Sequence, residues 1–319
     1  MKVCDMHCDT LTVLKDQNKN FFSNDLHISL EKMEQGNYLS QCFAVFINLN
    51  KKAPYKRCVD YINYFYKLMD ENSNIIKQAK NYQDIINNNK EYKMSAILTI
   101  EEGETIEGSL EKLQYFYDRG VRMMTLTWNY PNQIGFPNID ATKEVKEITS
   151  VNTVDGLTEF GIKVVKKMNE LGMIVDCSHL SDKGFYDVIK YSSSPIVCSH
   201  SNSRTIQNVS RNLSDDMILM LKENGGIMGI NYCHDFISYS NEDQIQDIIK
   251  HIKHIVKIGG IDICALGSDF DGIGTVKGMS DCTKTNVLYD ELLKSGFSNE
   301  EVDKIFYKNF LRVFKQVCK

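Results

Sequence analysis

The sequence predicts an α/β protein, a closed (β/α)8 TIM-like barrel forming a single domain over residues 1–319. Three observations predict it. Short apolar runs recur eight times along the chain. Amphipathic, helix-like stretches separate them, and strand–helix alternation at this spacing implies parallel pairing. No linker interrupts the series: there are four prolines and no Ser/Gly-rich or low-complexity tract. A doubly wound open sheet is the main competitor, but eight such units in a chain near the usual barrel length of about 250 residues suit closure better.

The predicted strands are 3–8, 39–47, 95–100, 121–127, 173–177, 195–199, 225–231 and 263–267. Between them, SLEKLQYFYDRG (109–120) and GLTEFGIKVVKKMNELG (156–172) read as amphipathic helices that end on glycine stop signals. LSDDMILMLKENGG (213–226) repeats the arrangement, with Ser214 as its N-cap. The stretch 51–93 is longer than one helix needs and predicts two. The polar loop 131–155 is long enough to serve as a lid over a site.

The first strand carries an anomaly. MKVCDMHCDTLTVL sets Asp5, His7 and Asp9 into an otherwise apolar run. Side chains two apart share a face of a strand, so alternation predicts these three on one side and Cys4, Met6 and Cys8 on the other. Unpaired buried charge is costly, and a metal ion is a partner that would satisfy all three.

Composition narrows the function classes. The net charge is -5 and basic residues are scattered, with no basic block to suggest nucleic acid or an anionic membrane. No apolar run approaches the roughly 18 residues a membrane span needs. No signal-peptide core precedes the first strand, so a cytoplasmic protein is expected. The ten cysteines are dispersed and include no CxxC pair, which reads as reduced packing thiols rather than a disulfide framework.

In a barrel of this type the C-terminal ends of the strands build the active site. Those positions hold His7 and Asp9, then Glu101 with Glu102 beside it, Asp176 and His179 in VDCSH, His200 in VCSH, Asn231, and Asp269 and Asp271 in GSDFDG. Imidazole and carboxylate together suit zinc and similar divalent ions. The set exceeds one tetrahedral site, and a carboxylate shared by two ions accounts for the surplus. Paired ions about 3.5–4 Å apart can acidify a bridging water to a hydroxide nucleophile. Taken singly the pieces are weak: an HxD is common, and a lone histidine after a strand is usually a hydrogen-bonded structural group. Asp5 is a candidate for orienting a ligand. Asp176 and Asp271 also read as loop braces. His27, His234, His251 and His254 fall outside the pattern, and MMTLTW reads as core.

HCD near the start, IEEGETI, RMMTLTWN, GLTEFGIKVVKKMNELGMIVDCSHLS, PIVCSHSNSR followed by SRN, GSDFDG and the closing NFLRVF occur in an order and spacing that resembles the membrane (renal-type) dipeptidases, binuclear zinc peptidases of the amidohydrolase-like barrels. The likeness runs over nearly the whole chain. It implies two divalent ions, zinc above all, with His7 and Asp9 as first-strand ligands, Glu101 bridging both ions, and His179 and His200 on the second. It implies a dipeptide substrate whose carboxylate Arg211 holds with its planar guanidinium, and whose amino group lies near Asp269, which also handles protons. Glu101 and Asp269 are thus the catalytic candidates. Members are often homodimers, although no dimer seam is legible in the sequence.

One departure stands out. Mammalian members carry a histidine after the LTLT strand that helps polarise the scissile carbonyl; here that position is Trp128. An indole shapes a pocket and donates one hydrogen bond but holds no imidazolium charge. Asn129 is the neighbouring donor, and both are candidate substrate-binding residues. Two other readings remain open at this stage: an amidase or deacylase on the same barrel, and a non-catalytic metal-binding accessory protein.

Overall fold

The computed structural model describes residues 1–143, 148–239 and 244–319. Among these residues nine parallel strands run in chain order: β1 Val3–Cys8, β2 Tyr38–Phe46, β3 Ile76–Gln78, β4 Met94–Glu101, β5 Val121–Thr125, β6 Ile174–Asp176, β7 Val197–Cys198, β8 Ile227–Ile230 and β9 Cys264–Leu266. Eight of them close a ring in the order β1, β2, β4, β5, β6, β7, β8, β9, with β2 against β4 sealing it. This is the expected TIM-like (β/α)8 barrel.

The additional strand, β3, pairs with β4 from Met94 to Ala96, below the point where β5 joins at Leu98. Its sequence, IKQ, has one apolar residue in three, too little pattern to read as a strand. It falls between the two helices expected in 51–93, which are Pro54–Glu71 and Tyr82–Lys90.

Two apolar layers follow from the side-chain alternation. Met6, Cys42, Ile97, Met123, Ile174, Val197, Ile227 and Ala265, one from each barrel strand, cluster together and fill the interior. Phe310, Val313, Phe314 and Val317 of the helix Asn309–Val317 join that cluster and plug the lower end, with Phe310 and Phe314 stacked at 5.5 Å. Each such buried aromatic side chain contributes about 1.5–3 kcal/mol. The other strand faces carry Val3, Leu98, Val121, Met124, Val175, Cys198 and Met228, which pack under the surrounding helices. With its base filled, the barrel opens at the C-terminal rim.

The simple alternation expected of β1 does not hold. Asp5 pairs with Gln41 but Cys8 pairs with Phe43, three steps on one strand against two on the other. The extra residue is a bulge. Cys4 and Met6 face the interior and Cys8 faces the outer layer. Asp5 consequently does not share a face with His7. Its carboxylate accepts from the backbone N–H groups of His7 (3.2 Å) and Ser268 (2.9 Å), tying β1 to the segment after β9.

The helix signals read from the sequence are in place. Gly172 and Gly225 end the helices Glu159–Leu171 and Asp215–Asn224 at φ +76° and +79°, a conformation that glycine adopts without strain. Ser214 accepts from Met217 N–H as the N-cap of the second. Much of the loop 131–155 is tied down: Asn138 N–H donates to the His179 carbonyl, and the Phe136 carbonyl accepts from Ser181 N–H. Residues 144–147 of the expected lid lie outside the described residues.

Candidate metal centre

The bulge in β1 delivers His7 to the open rim. Asp9 follows at the start of the helix Thr10–Asp16, where a carboxylate would ordinarily cap the first turn, yet it makes no capping bond and, among the described residues, Oδ1 has no partner. Glu101 ends β4. His179 and Asp269 sit on the turns after β6 and β9 in left-handed backbone, at φ +69° and +62°. Left-handed φ is costly for residues with a Cβ and tends to persist where it aims a functional side chain.

These groups converge. His7 Nε2 stands 3.4 Å from Glu101 Oε2 and 3.8 Å from both Asp9 Oδ2 and Asp269 Oδ1. His179 Nε2 lies 3.0 Å and His200 Nε2 3.7 Å from Glu101 Oε1, and these two nitrogens are 3.0 Å apart. All six residues are buried. The doubled glutamate divides: Glu101 enters the cluster, while Glu102 turns toward Trp128 and Asn132.

Electrostatics show what the cluster lacks. Burial, reinforced by the charge of Glu101, raises Asp9 to about 6. Burial raises Asp269 to about 7, with Asp9 and Glu101 adding to it against the pull of His7. Burial, Arg211 and His7 lower His179 to about 4, and burial drives His200 well below its usual value. Burial opposes charge on Glu101 too, but His7 and His179 override it and hold this carboxyl low. Three crowded carboxylates and two neutral imidazoles facing one space are a donor set that cations would satisfy. Among the described residues His7 Nε2 and Asp9 Oδ1 are buried without hydrogen-bond partners, as atoms reserved for a ligand would be. His7, Glu101 and His200 form one group with donor-atom spacing suited to a metal ion, and His7, Asp9 and Asp269 form another.

The imidazoles are held from behind. His179 Nδ1 lies 2.8 Å from Asn129 Oδ1, and His200 Nδ1 lies 2.7 Å from Ser199 Oγ. The Ser199 hydroxyl donates to Asp176 Oδ2 at 2.6 Å, so its remaining role toward His200 is to accept. Both rings thus carry their proton on Nδ1 and present the Nε2 lone pair to the cluster. Asn129, expected to meet substrate, has its amide oxygen on His179. Asn231 Nδ2 donates to Asp269 Oδ2 (2.9 Å) and leaves Oδ1 facing His7. Asp271 braces its loop, accepting from Thr10 Oγ1 and His27 N–H, while its own N–H donates to His27 Nδ1.

A cavity of about 520 Å³ opens above the cluster, bordered by Asp9, Glu101, His179, Asp269, Trp128 and Asn129. Trp128 stands edge-on to Phe46 at 4.9 Å and lies 6.3 Å from the His179 ring. Arg211 does not line this cavity. It is buried 5.5 Å from the Phe236 ring, which does, and its Nη2 donates to the His200 carbonyl at 3.3 Å. Among the described residues its Nε has no partner.

Sequence reading missed Ser199, Glu102 and His27. Ser199 is one serine among many, Glu102 looked like a duplicate of Glu101, and His27 lies 244 residues from the Asp271 it meets.

The sequence model of the membrane dipeptidase family, peptidase family M19, matches residues 1–319. The chain belongs to peptidase family M19. A Schizosaccharomyces pombe protein described as an uncharacterized dipeptidase is 31% identical over 350 aligned positions, covering 99% of this chain and 80% of that protein. Mouse dipeptidase 3 is 33% identical over 230 positions, 72% of this chain and 46% of the mouse protein. A Rhodobacter sphaeroides metallopeptidase, crystallised with a phosphinate mimic of the dipeptide L-Ala-D-Ala, superposes with a TM-score of 0.90 at 22% identity, covering 99% of each chain. This M19 protein is accordingly a peptide-bond hydrolase, a dipeptidase of the metallopeptidase type, on the family's barrel.

Proposed function

We propose that this M19 dipeptidase holds two zinc ions and cleaves dipeptides with them, in the reducing setting of the cytoplasm. The observation that carries the reading is the convergence of three histidine Nε2 atoms on the two oxygens of Glu101. His7 and Asp9 would hold one ion, His179 and His200 the other, and Glu101 both. Bound there, the ions supply an acidified water as nucleophile and polarise the peptide carbonyl. The ten free cysteines, nine of them buried, accord with a reducing compartment.

The chain's own residues bind and move protons around that chemistry. Arg211 is a buried guanidinium with an unpartnered Nε, and a substrate carboxylate is the anion that suits it. Asp269 Oδ1, fixed by the Asn231 bond to Oδ2, faces the cluster. It receives the proton of the attacking water and passes it to the leaving nitrogen as the C–N bond breaks. Trp128 and Phe46 wall the cavity and limit water around the scissile bond.

The deciding experiment measures zinc per chain alongside hydrolysis of Ala-Ala stereoisomers, before and after chelation. Two ions per chain, with activity lost on chelation and restored by zinc, are expected. Glu101→Gln should hold fewer ions and lose activity. Undiminished hydrolysis in the metal-free protein overturns the reading.

A further inference from the structure

The catalytic cavity continues past the cluster to a cationic lip at the opposite side of the rim. Asn48 and Lys51 follow β2, and Arg57 projects from the helix Pro54–Glu71; all three border the cavity. Arg57 is half-buried and pinned. Its Nη1 donates to the backbone carbonyls of Asn48 (2.9 Å) and Lys51 (3.2 Å). Among the described residues no carboxylate lies within salt-bridge distance of Arg57 or Lys51, and Nε and Nη2 of Arg57 make no hydrogen bond. A guanidinium oriented by carbonyls, on a residue that borders a cavity and with Nε and Nη2 unengaged, is ready for an anion at little entropic cost.

Barrel topology says which part of a dipeptide reaches it. Arg211 lies between β7 and β8, and β2 lies four strands from β7 in a ring of eight, which is across the barrel. A dipeptide whose carboxylate points toward Arg211 extends its other end toward β1, β9 and β2. Its amino group then meets Asp9 and Asp269, and the N-terminal side chain runs out toward Arg57. We infer that this enzyme selects dipeptides whose N-terminal residue carries an acidic side chain, with Arg57 as the specificity-determining residue and Lys51 in support. The inference rests on the proposed dipeptide orientation above. Asp16 borders the same wall and would favour the opposite charge, but its carboxylate already accepts from the Tyr61 hydroxyl at 2.6 Å.

The test compares kcat/KM of the zinc-supplied full chain on Glu-Ala, Gln-Ala and Lys-Ala. Glu-Ala and Gln-Ala differ essentially in charge. Glu-Ala should exceed Gln-Ala by ~10- to 100-fold, the scale of one charge-assisted hydrogen-bonded pair. The advantage should shrink as salt is raised to 0.5 M, a readout that needs no variant; about 4 Å of screening length remains near that ionic strength. Arg57→Met should bring the ratio close to one, and Arg57→Lys should keep part of it. Equal rates on Glu-Ala and Gln-Ala, a preference for Lys-Ala, or a ratio untouched by Arg57→Met each overturn the inference while leaving the dipeptidase reading intact. Failure to cleave all three dipeptides counts against both.

Discussion

Ser199 Oγ lies 2.7 Å from His200 Nδ1 while its own proton goes to Asp176 Oδ2 at 2.6 Å, so a buried carboxylate reaches this histidine through one hydroxyl. Asp176 is fully buried and well supplied. It also accepts from Thr125 Oγ1 (2.6 Å) and from the N–H groups of Ser178 (3.0 Å) and Ser199 (2.8 Å). The relay fixes the His200 tautomer and leaves Nε2 free to bind.

Ser199→Ala should therefore weaken zinc binding by ~10- to 100-fold, the usual effect of removing the partner of a ligating imidazole. Ser199→Thr, which keeps the hydroxyl, should restore most of it. Competition with a chromophoric chelator reads the affinity directly. Unchanged affinity in the alanine variant would show that the hydroxyl does not orient the ring.

On the proposed dipeptide orientation, Arg211 sets function against stability. A buried guanidinium with an unpartnered Nε is costly to the folded protein, and burial depresses its pKa. Arg211→Met removes that cost and should raise the melting temperature of the ligand-free protein. The same change should lower kcat/KM on dipeptides by ~30- to 100-fold, as expected when a charge-assisted pair to the substrate is lost. A variant that loses stability and keeps activity would reassign Arg211 to the scaffold.

Glu102 shows how much of the site the sequence conceals. Its backbone lies at φ +107°, strained for a residue with a side chain by about 1–3 kcal/mol. Its buried carboxylate accepts from Glu104 N–H (2.8 Å), Trp128 N–H (3.1 Å) and Asn132 Nδ2 (2.5 Å). Glu102→Gly relieves the strain but strands three donors, at about 1–3 kcal/mol for each one left buried. The second effect is larger, so the glycine variant should be the less stable by denaturant titration. Trp128 is the only tryptophan in the chain, so its fluorescence should shift as the loop is released. A stabilised variant with an unmoved emission maximum would mean the carboxylate does not hold the loop.

The barrel and most of the cluster were legible because both depend on patterns that survive folding. Apolar runs at regular spacing mark the strands, and reading only their C-terminal ends picks out His7, Glu101, His179 and His200. What was not legible depends on backbone geometry without a residue signature. The β1 bulge breaks the expected alternation of Asp5, His7 and Asp9, yet no glycine or proline announces it. His179, Asp269, Asp271 and Glu102 all adopt positive φ without being glycine. The clamp of His27 on Asp271 spans most of the chain, so no local pattern could report it.

His251 supplies a pH dependence separate from the cluster around Glu101. It is fully buried on the helix Gln244–Gly259, accepting from Ser203 N–H at Nδ1 (3.1 Å) and donating from Nε2 to the Ile237 carbonyl (2.9 Å). Accepting at Nδ1 requires the neutral ring; a second proton there would face the Ser203 N–H. Burial lowers its pKa from 6.5 to about 4, with Asp247 and the Ile237 carbonyl only partly opposing. Between those values the unfolded chain binds a proton that the folded chain refuses, so stability is fully present above pH 6.5 and falls as pH drops toward 4. The loss from this one group approaches about 3 kcal/mol. His251→Gln keeps a donor and an acceptor but does not titrate. Its unfolding free energy should fall less steeply than that of the unsubstituted protein between pH 6.5 and 4, measured by urea titration with zinc removed from both. His179 and His200 titrate in both proteins and cancel in the difference. Parallel curves would mean that His251 is protonated as easily in the folded chain as in the unfolded one.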